Sequence, residues 1–351
     1  MKQVSEAAAA GLAGRDAVRL AGARAAAAAH AGRDAVRLAG AEAAAAGFAG
    51  WGAVRLAGAD RLGCLEAPAV PLLSFTPQAA VAALLGSALL RRNGHGGAAA
   101  TAALAAAALA VVTLPRAIRR PQPRARGPVL RVLTANLLAG RASAGAVAGL
   151  VRRHRVDVLF LQELTGAAVT RLRQAGLGQL LPHEMTDARL AGPRGSGIFA
   201  RFPLGSGLDL APASMAQPAA RLELPGGHRV DLVCVHPCAP APPSLRHSVP
   251  RWRRELAALP PPADPPRVLA GDFNATADHA QFRRLLQAGH VDAASAAGRG
   301  LVPTWGPAGW PALLTIDHVL VDPRCAVLAA SVHFLPGSDH RAVYAKFRLP
   351  A

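Results

Sequence analysis

From Val129 onward, short apolar runs alternate with amphipathic stretches. The runs at 129–135 (VLRVLTA), 156–161 (VDVLFL), 196–200 (SGIFA), 229–235 (RVDLVCV), 267–271 (RVLAG), 316–321 (IDHVLV) and 342–348 (AVYAKFR) have strand length and β-branched content. Between them, 144–154, 165–175, 249–259 and 278–288 carry helical spacing. Thr276 is the expected N-cap of the last helix and Gly289 its stop. Strands interleaved with helices predict an α/β or α+β domain over 129–351.

The pattern upstream is different. Residues 67–90 (APAVPLLSFTPQAAVAALLGSALL) and 96–115 (GGAAATAALAAAALAVVTLP) contain no charge and are separated by RRNGH. Each is about the length of a bilayer span. Alanine is weakly apolar and the first stretch holds three prolines, so two buried Ala-rich helices are the alternative. Two such stretches in tandem, bracketed by arginines, predict two transmembrane helices. Residues 1–61 are a low-complexity Ala/Gly/Arg repeat: GRDAVRLAGA at 14–23 and 32–41, then GWGAVRLAGA at 50–59. The period of 18 is five helical turns and would place Val18, Val36 and Val54 on one face. Alanine and glycine bury little, which predicts a poorly ordered or partly helical region. Residues 116–128 (RAIRRPQPRARGP) form a basic, proline-rich linker.

The net charge of +18 favours anionic partners such as phosphates, nucleic acid or lipid headgroups. It is evenly spread, with 15 Lys+Arg against 6 Asp+Glu in 1–127 and 24 against 15 in 128–351. Four cysteines make no disulfide framework for 351 residues. Cys234 and Cys238 are too far apart to bridge if extended, and zinc would need a second pair of ligands.

The chemistry lies in polar residues at strand ends: Asn136, Gln162 and Glu163, His236, Asp272 and Asn274, Asp317, and Asp339 with His340. Singly, each fits a turn or a cap. Together, carboxylates, histidines and asparagines are an inventory for divalent-metal hydrolysis, with oxygen ligands suited to Mg²⁺ or Mn²⁺ and histidine suited to acid–base work near neutral pH. Alternation would aim Asp272 and Asn274 the same way, with Phe273 turned into the core. It would also send His318 away from Asp317, as a structural residue. Thr304 and Trp305 in PTW are candidates for the pocket edge.

In order and spacing, TANL, LQE, GSGIFARFPL, VHP, GDFNAT, IDHVL and GSDHRAV resemble the endonuclease/exonuclease/phosphatase superfamily over roughly residues 129–349. The resemblance implies a four-layered α/β/β/α sandwich of the deoxyribonuclease I-like type, here preceded by two predicted transmembrane helices where the similar membrane-anchored actinobacterial members often carry three. It implies metal ligation by Glu163, with Asn136 beside it and Asp339 completing the set. It implies that Asp272 orients or deprotonates the attacking water, or binds a second metal, and that Asn274 holds the scissile phosphate. His340 would contact the phosphate, with Asp317 fixing its tautomer and charge. His236 matches the histidine near the leaving oxygen in the nuclease branch. The tyrosine that some branches use there has no counterpart, since Tyr344 is the only tyrosine in the chain.

These readings predict a membrane-anchored, divalent-metal-dependent phosphoester hydrolase. The alternative of another class is a membrane-bound binding or scaffolding protein on a catalytically retired hydrolase fold. Nucleic acid would call for stacking aromatics, and aromatics are 4% of the chain. A phospholipid or inositol phosphate substrate would account for an anchor. Arg91 and Arg92 place the loop between the apolar stretches in the cytoplasm by the positive-inside rule, whereas the five arginines in 116–126 act the opposite way. The family resemblance favours an extracellular catalytic domain at the cell membrane.

Overall fold

The computed structural model describes His30, residues 33–188 and residues 192–351. The first repeat unit, with Val18, lies outside the described residues. Residues 33–57 form helix α1, followed by α2 (Gly63–Leu73), α3 (Thr76–Arg92) and α4 (Gly96–Thr113). The chain divides into two compact units. Residues 33–52 and Ala79–Ala108 belong to one, and Ala53–Gln78 and Leu109–Ala351 to the other.

In the smaller unit α3 and α4 form a hairpin packed through small residues. Ala83, Ala99, Ala102 and Ala105 are buried, and Ser87 Oγ donates to the Ala99 carbonyl at 2.8 Å. A Cβ at Gly86 would stand 2.9 Å from the ring of Phe48, so α1 approaches α3 at a glycine. Val81, Leu84, Leu85, Leu89 and Leu104 face outward, uncovered.

The expectation of two transmembrane helices is met in part, by one continuous helix and one bent pair. Among the described residues, one continuous helix, Gly96–Ala117, is long and apolar enough to cross a membrane. The stretch expected as the first span instead breaks into Leu65–Leu73 and Thr76–Arg92, bent by 73°. Proline explains the break: Pro77 sits in the first turn of α3, where its missing N–H is tolerated, and it disfavours continuous helix through the residue before it. Moreover, α2 belongs to the larger unit, where Val70 and Leu73 are fully buried.

The larger unit is built on two six-stranded sheets. The first contains β1 (Val129–Asn136), β2 (Val158–Gln162), β3 (His183–Asp187), β4 (Ser196–Ala200), β11 (Ala326–Phe334) and β12 (Arg341–Arg348), in the order β11-β12-β1-β2-β4-β3. The second contains β5 (Leu204–Ser206), β6 (Ala219–Glu223), β7 (Arg229–Val235), β8 (Arg267–Asp272), β9 (Val291–Asp292) and β10 (Asp317–Val321), in the order β5-β6-β7-β8-β10-β9. The pairs β1–β2 and β7–β8 are parallel, and the other pairings are antiparallel.

Alternation along these strands splits their side chains between two faces. Leu130, Val132 and Phe160 of the first sheet meet Leu232, Val268 and Val319 of the second in a central core. Leu133, Leu159 and Leu161 turn outward onto α5 (Ala144–His154), α6 (Gly166–Gln174) and α7 (Leu177–Leu180). Val233, Leu269 and Leu320 turn outward onto α8 (Leu245–Ala257), α9 (Ala280–Gln287) and Val70 of α2. The result is the α/β/β/α sandwich expected from the sequence. The short α10 (Ala293–Ala296) follows β9.

All seven predicted strands and four predicted helices are present, while β3, β5, β6, β9 and β11 are additional. Helix α9 starts later than expected, with His279 at its N-cap position. Thr276 instead caps the preceding turn, its Oγ1 accepting from the Asp278 amide at 3.3 Å.

Candidate active site

Asn136, Gln162 and Asp272 are the last residues of β1, β2 and β8, and His236 directly follows β7. Asp317 opens β10, which runs antiparallel to β8, and His340 precedes β12, which runs antiparallel to β1. Strand starts and strand ends therefore meet at one edge of the sandwich. Register puts Asp317 directly opposite Asp272. Cross-strand neighbours have Cβ atoms about 4.5–5.5 Å apart, and like charges there repel.

His340 answers that repulsion. Its Nδ1 lies 3.0 Å from Asp317 Oδ2, and its Nε2 lies 3.7 Å from Asp272 Oδ2 and 4.0 Å from Asp339 Oδ1. Burial alone would pull the imidazole down, but Asp317, then Asp272 and Asp339, outweigh it and push it up to about 10. His340 is a cation at neutral pH. Thr304 Oγ1 fixes the start of β10 by accepting the amides of Ile316 (3.0 Å) and Asp317 (3.1 Å).

Asn136 ties the two sheets together. Its Nδ2 donates to Glu163 Oε1 at 3.2 Å and to Asp272 Oδ2 at 3.1 Å, and its Oδ1 accepts the Leu138 amide at 3.0 Å. Glu163 Oε2 accepts the Ala139 amide at 2.6 Å. Burial raises the Glu163 carboxyl above its ordinary range, with the Asp272 charge adding, against the Ala139, Asn136 and His340 contacts that lower it. Burial likewise raises Asp272, against the pull of His340. Glu163 (φ 54°), Leu138 (48°), Ala139 (50°) and Asn274 (48°) all occupy the left-handed region without being glycine. Each such residue costs of the order of 1–3 kcal/mol, and such strain gathers at functional sites.

The Asx turn is real as well. The Asn274 amide donates to Asp272 Oδ1 at 2.8 Å, while Asn274 Nδ2 donates to the Pro237 carbonyl at 3.1 Å. Phe273 is fully buried and packs edge-on against Phe282, with ring centroids 5.5 Å apart. His318 points away from the site, as its place in the strand predicts, and its Nε2 contacts the Ala275 carbonyl at 2.9 Å. Gly271 lies against a neighbouring strand: a Cβ there would stand 1.9 Å from the Val235 carbonyl oxygen.

Glu163, Asp272, Asn274, Asp339 and His340 line one cavity of about 410 Å³. Asn136, Asp317 and His236 stand behind that surface. Burial lowers His236 to about 4, so it is neutral, and its Nδ1 has no hydrogen-bond partner. Trp305 lines the cavity and donates from Nε1 to Asp339 Oδ2 at 3.0 Å. The sequence carries a second contribution that its motifs do not announce: Val70, Pro71, Ser74 and Phe75 also line the cavity.

The donor set fits a divalent cation. Asp339 Oδ1 is buried with no hydrogen-bond partner, in the cavity that also holds the carboxylates of Glu163 and Asp272. Asp272, Asp317 and His340 offer ligand atoms within 4.8 Å of one another. Since His340 is protonated and committed to Asp317, the carboxylate oxygens are the better ligands of the region.

Residues 133–340 match the model of the Endonuclease/Exonuclease/phosphatase family. A search of curated proteins finds no match to the chain. Among solved structures, an endonuclease/exonuclease/phosphatase from Beutenbergia cavernae is similar, with 20% identity, a TM-score of 0.50 and coverage of 64% of this chain and 72% of that one. An AP endonuclease from Archaeoglobus fulgidus is similar at 16% identity and TM-score 0.48, covering 62% of this chain and 98% of that one. Sphingomyelinase C from Streptomyces griseocarneus is similar at 16% and 0.43, covering 62% and 99%. The matched span takes in every carboxylate and histidine of the cavity, and the chain belongs to the endonuclease/exonuclease/phosphatase family of phosphoester hydrolases.

Proposed function

We propose that this chain is a divalent-metal-dependent phosphoester hydrolase attached to the cell membrane, with its catalytic domain outside. The observation that carries the reading is a cationic His340, held by Asp317, facing the same cavity as three carboxylates, one of them with a buried oxygen that accepts no hydrogen bond.

Glu163 and Asp339, with Asn136 beside them, would hold Mg²⁺ or Mn²⁺. When bound, the cation supplies charge neutralisation of the phosphate and acidification of water. The rest falls to the chain. Asp272, its carboxyl raised by burial, orients the attacking water and accepts its proton. His340 Nε2–H and the second N–H of the Asn274 side-chain amide donate to the phosphoryl oxygens as negative charge grows on them. Burial, with the His340 charge adding, keeps His236 neutral beside Asp272.

Attachment is supported by the outward leucines of α3 and α4 and by the span Gly96–Ala117. Arg91 and Arg92 at the α3–α4 turn suit a cytoplasmic loop. The decisive assay offers DNA, RNA, phosphoinositides and sphingomyelin to the full chain in Mg²⁺ and Mn²⁺, with and without chelator. Chelator-sensitive turnover of one class is the expected result. Inertness toward all four would end the reading.

A further inference from the structure

The cavity has two kinds of wall. Its floor is the carboxylate and imidazolium cluster. Val70, Pro71 and Phe75 stand on one side, at the end of α2 and in the turn after it, and residues 239–242 (Ala-Pro-Ala-Pro) stand with Leu314 and Ile316 elsewhere around it. Phe75 is 37% exposed, available to a ligand. Among the described residues, no lysine or arginine lines the cavity, although the chain carries +18. A polynucleotide would find no cation here for the phosphates flanking the scissile one.

The α2 wall lies outside the family-matched span 133–340, yet it is fastened to the loop that carries Asp272 and Asn274. His279 Nδ1 accepts the Thr276 amide at 3.0 Å, which leaves the proton on Nε2 to donate to the Val70 carbonyl at 2.8 Å. Ser74 Oγ lies 3.3 Å from the same Nε2. One residue earlier, Asp278 is clasped by Arg55 Nε (2.7 Å) and by both terminal nitrogens of Arg116 (2.6 and 2.7 Å). Asp60 accepts the Ala280 amide. Asp278 and His279 of the active-site loop and Ala280 at the start of α9 thus hold the segment that precedes the catalytic domain.

We propose that the α2 segment is a specificity-determining wall of the active site, with Phe75 and Pro71 receiving the apolar substituent of an amphipathic phosphoester whose phosphate sits on the His340 side. The inference rests on the hydrolase reading for the position of the phosphate, but binding can test it apart from turnover. The probes are n-alkylphosphonates from ethyl to hexyl, titrated calorimetrically in Mg²⁺ into the full chain in lipid nanodiscs, with empty nanodiscs as the blank. Each buried methylene should tighten the Kd about two- to fourfold. Phe75→Ser should flatten the series, and Phe75→Leu, which keeps apolar bulk, should preserve it and shows that the fold tolerates change at this site. A Kd that does not vary with chain length in the unmutated protein, or an unaltered slope in Phe75→Ser, overturns the wall. Hydrolysis of methyl 4-nitrophenyl phosphate is followed in parallel. A graded Kd series with no turnover of this ester or of the four substrate classes above would sink the hydrolase reading and leave the wall standing.

Discussion

His340 and Asp317 meet across the mouth of the sandwich, Nδ1 3.0 Å from Oδ2, one residue entering β12 of the first sheet and the other opening β10 of the second. The contact aims Nε2–H at the cavity and keeps the ring charged. Because the pKa is raised from 6.5 to about 10, the imidazolium's contribution to stability is full below 6.5 and is lost as pH rises through about 10. Charge at His340 should therefore persist across pH 7–9. Asp317→Asn removes the largest source of that rise. We expect its kcat/KM to fall at least about a hundredfold and its basic limb to move toward neutral pH. A pH–rate profile superimposable on the parent's would remove the pair from catalysis.

Glu163 should behave as a group held for a ligand rather than for the fold. Its carboxyl is raised by burial, so neutralising it relieves strain in the metal-free protein. Glu163→Gln should melt no lower than the parent, while losing about a thousandfold or more in activity. The parent's Tm should climb with Mg²⁺ or Mn²⁺ by mass action and fall back with chelator. Thermal melts of the variant should show no such climb. An equal metal-induced shift in both proteins would exclude Glu163 as a ligand.

Gly271 makes a prediction about architecture. Strands β7 and β8 are parallel neighbours there, with Val235 paired to Gly271, and an added Cβ would lie 1.9 Å from the Val235 carbonyl. Backbone on both sides leaves no flexible group to move. Gly271→Ala should destabilise by about 1–3 kcal/mol or more and displace His236 and Asp272 together. Chemical denaturation provides the check, and an unchanged midpoint would contradict the packing.

Much of this was legible in the sequence because the site is assembled from strand ends. Apolar strands announce themselves, and the residues that flank each one, before or after it, fall on the sheet edge. Glu163, Asp272 and His340 are found in this way. The strands that escaped notice are those with exposed or weak patterns, such as β3 (HEMTD) and the three-residue β5. Partnerships between sheets leave no local trace: nothing near Asn136 names Asp272 as its acceptor. The bend between α2 and α3 was the least legible feature. An uncharged apolar segment suits lipid and protein interior equally well, and only its prolines mark where the helix breaks. Asp278, the acceptor of Arg55 and Arg116 on either side of the apolar region, lies 162 residues beyond Arg116.

Asp278 is the place to test that docking. Its side chain is fully buried between two arginines that are themselves nearly so. Burial would raise its carboxyl, but the Arg116 and Arg55 contacts prevail and hold it below the ordinary range. A depressed carboxylate contributes stability that is present above its unfolded value near 3.8 and lost as pH falls below it. Asp278→Ala should cost about 3–5 kcal/mol, because it strands two buried cations rather than merely deleting a contact. The double change Arg55→Met with Asp278→Leu should recover part of that loss. In the single variant, residues 53–78 should become susceptible to limited proteolysis before the sandwich does, and the difference in stability from the parent should shrink as the pH is lowered through 4. If cleavage there is unchanged in the variant, the arginines do not hold α2 at the active site.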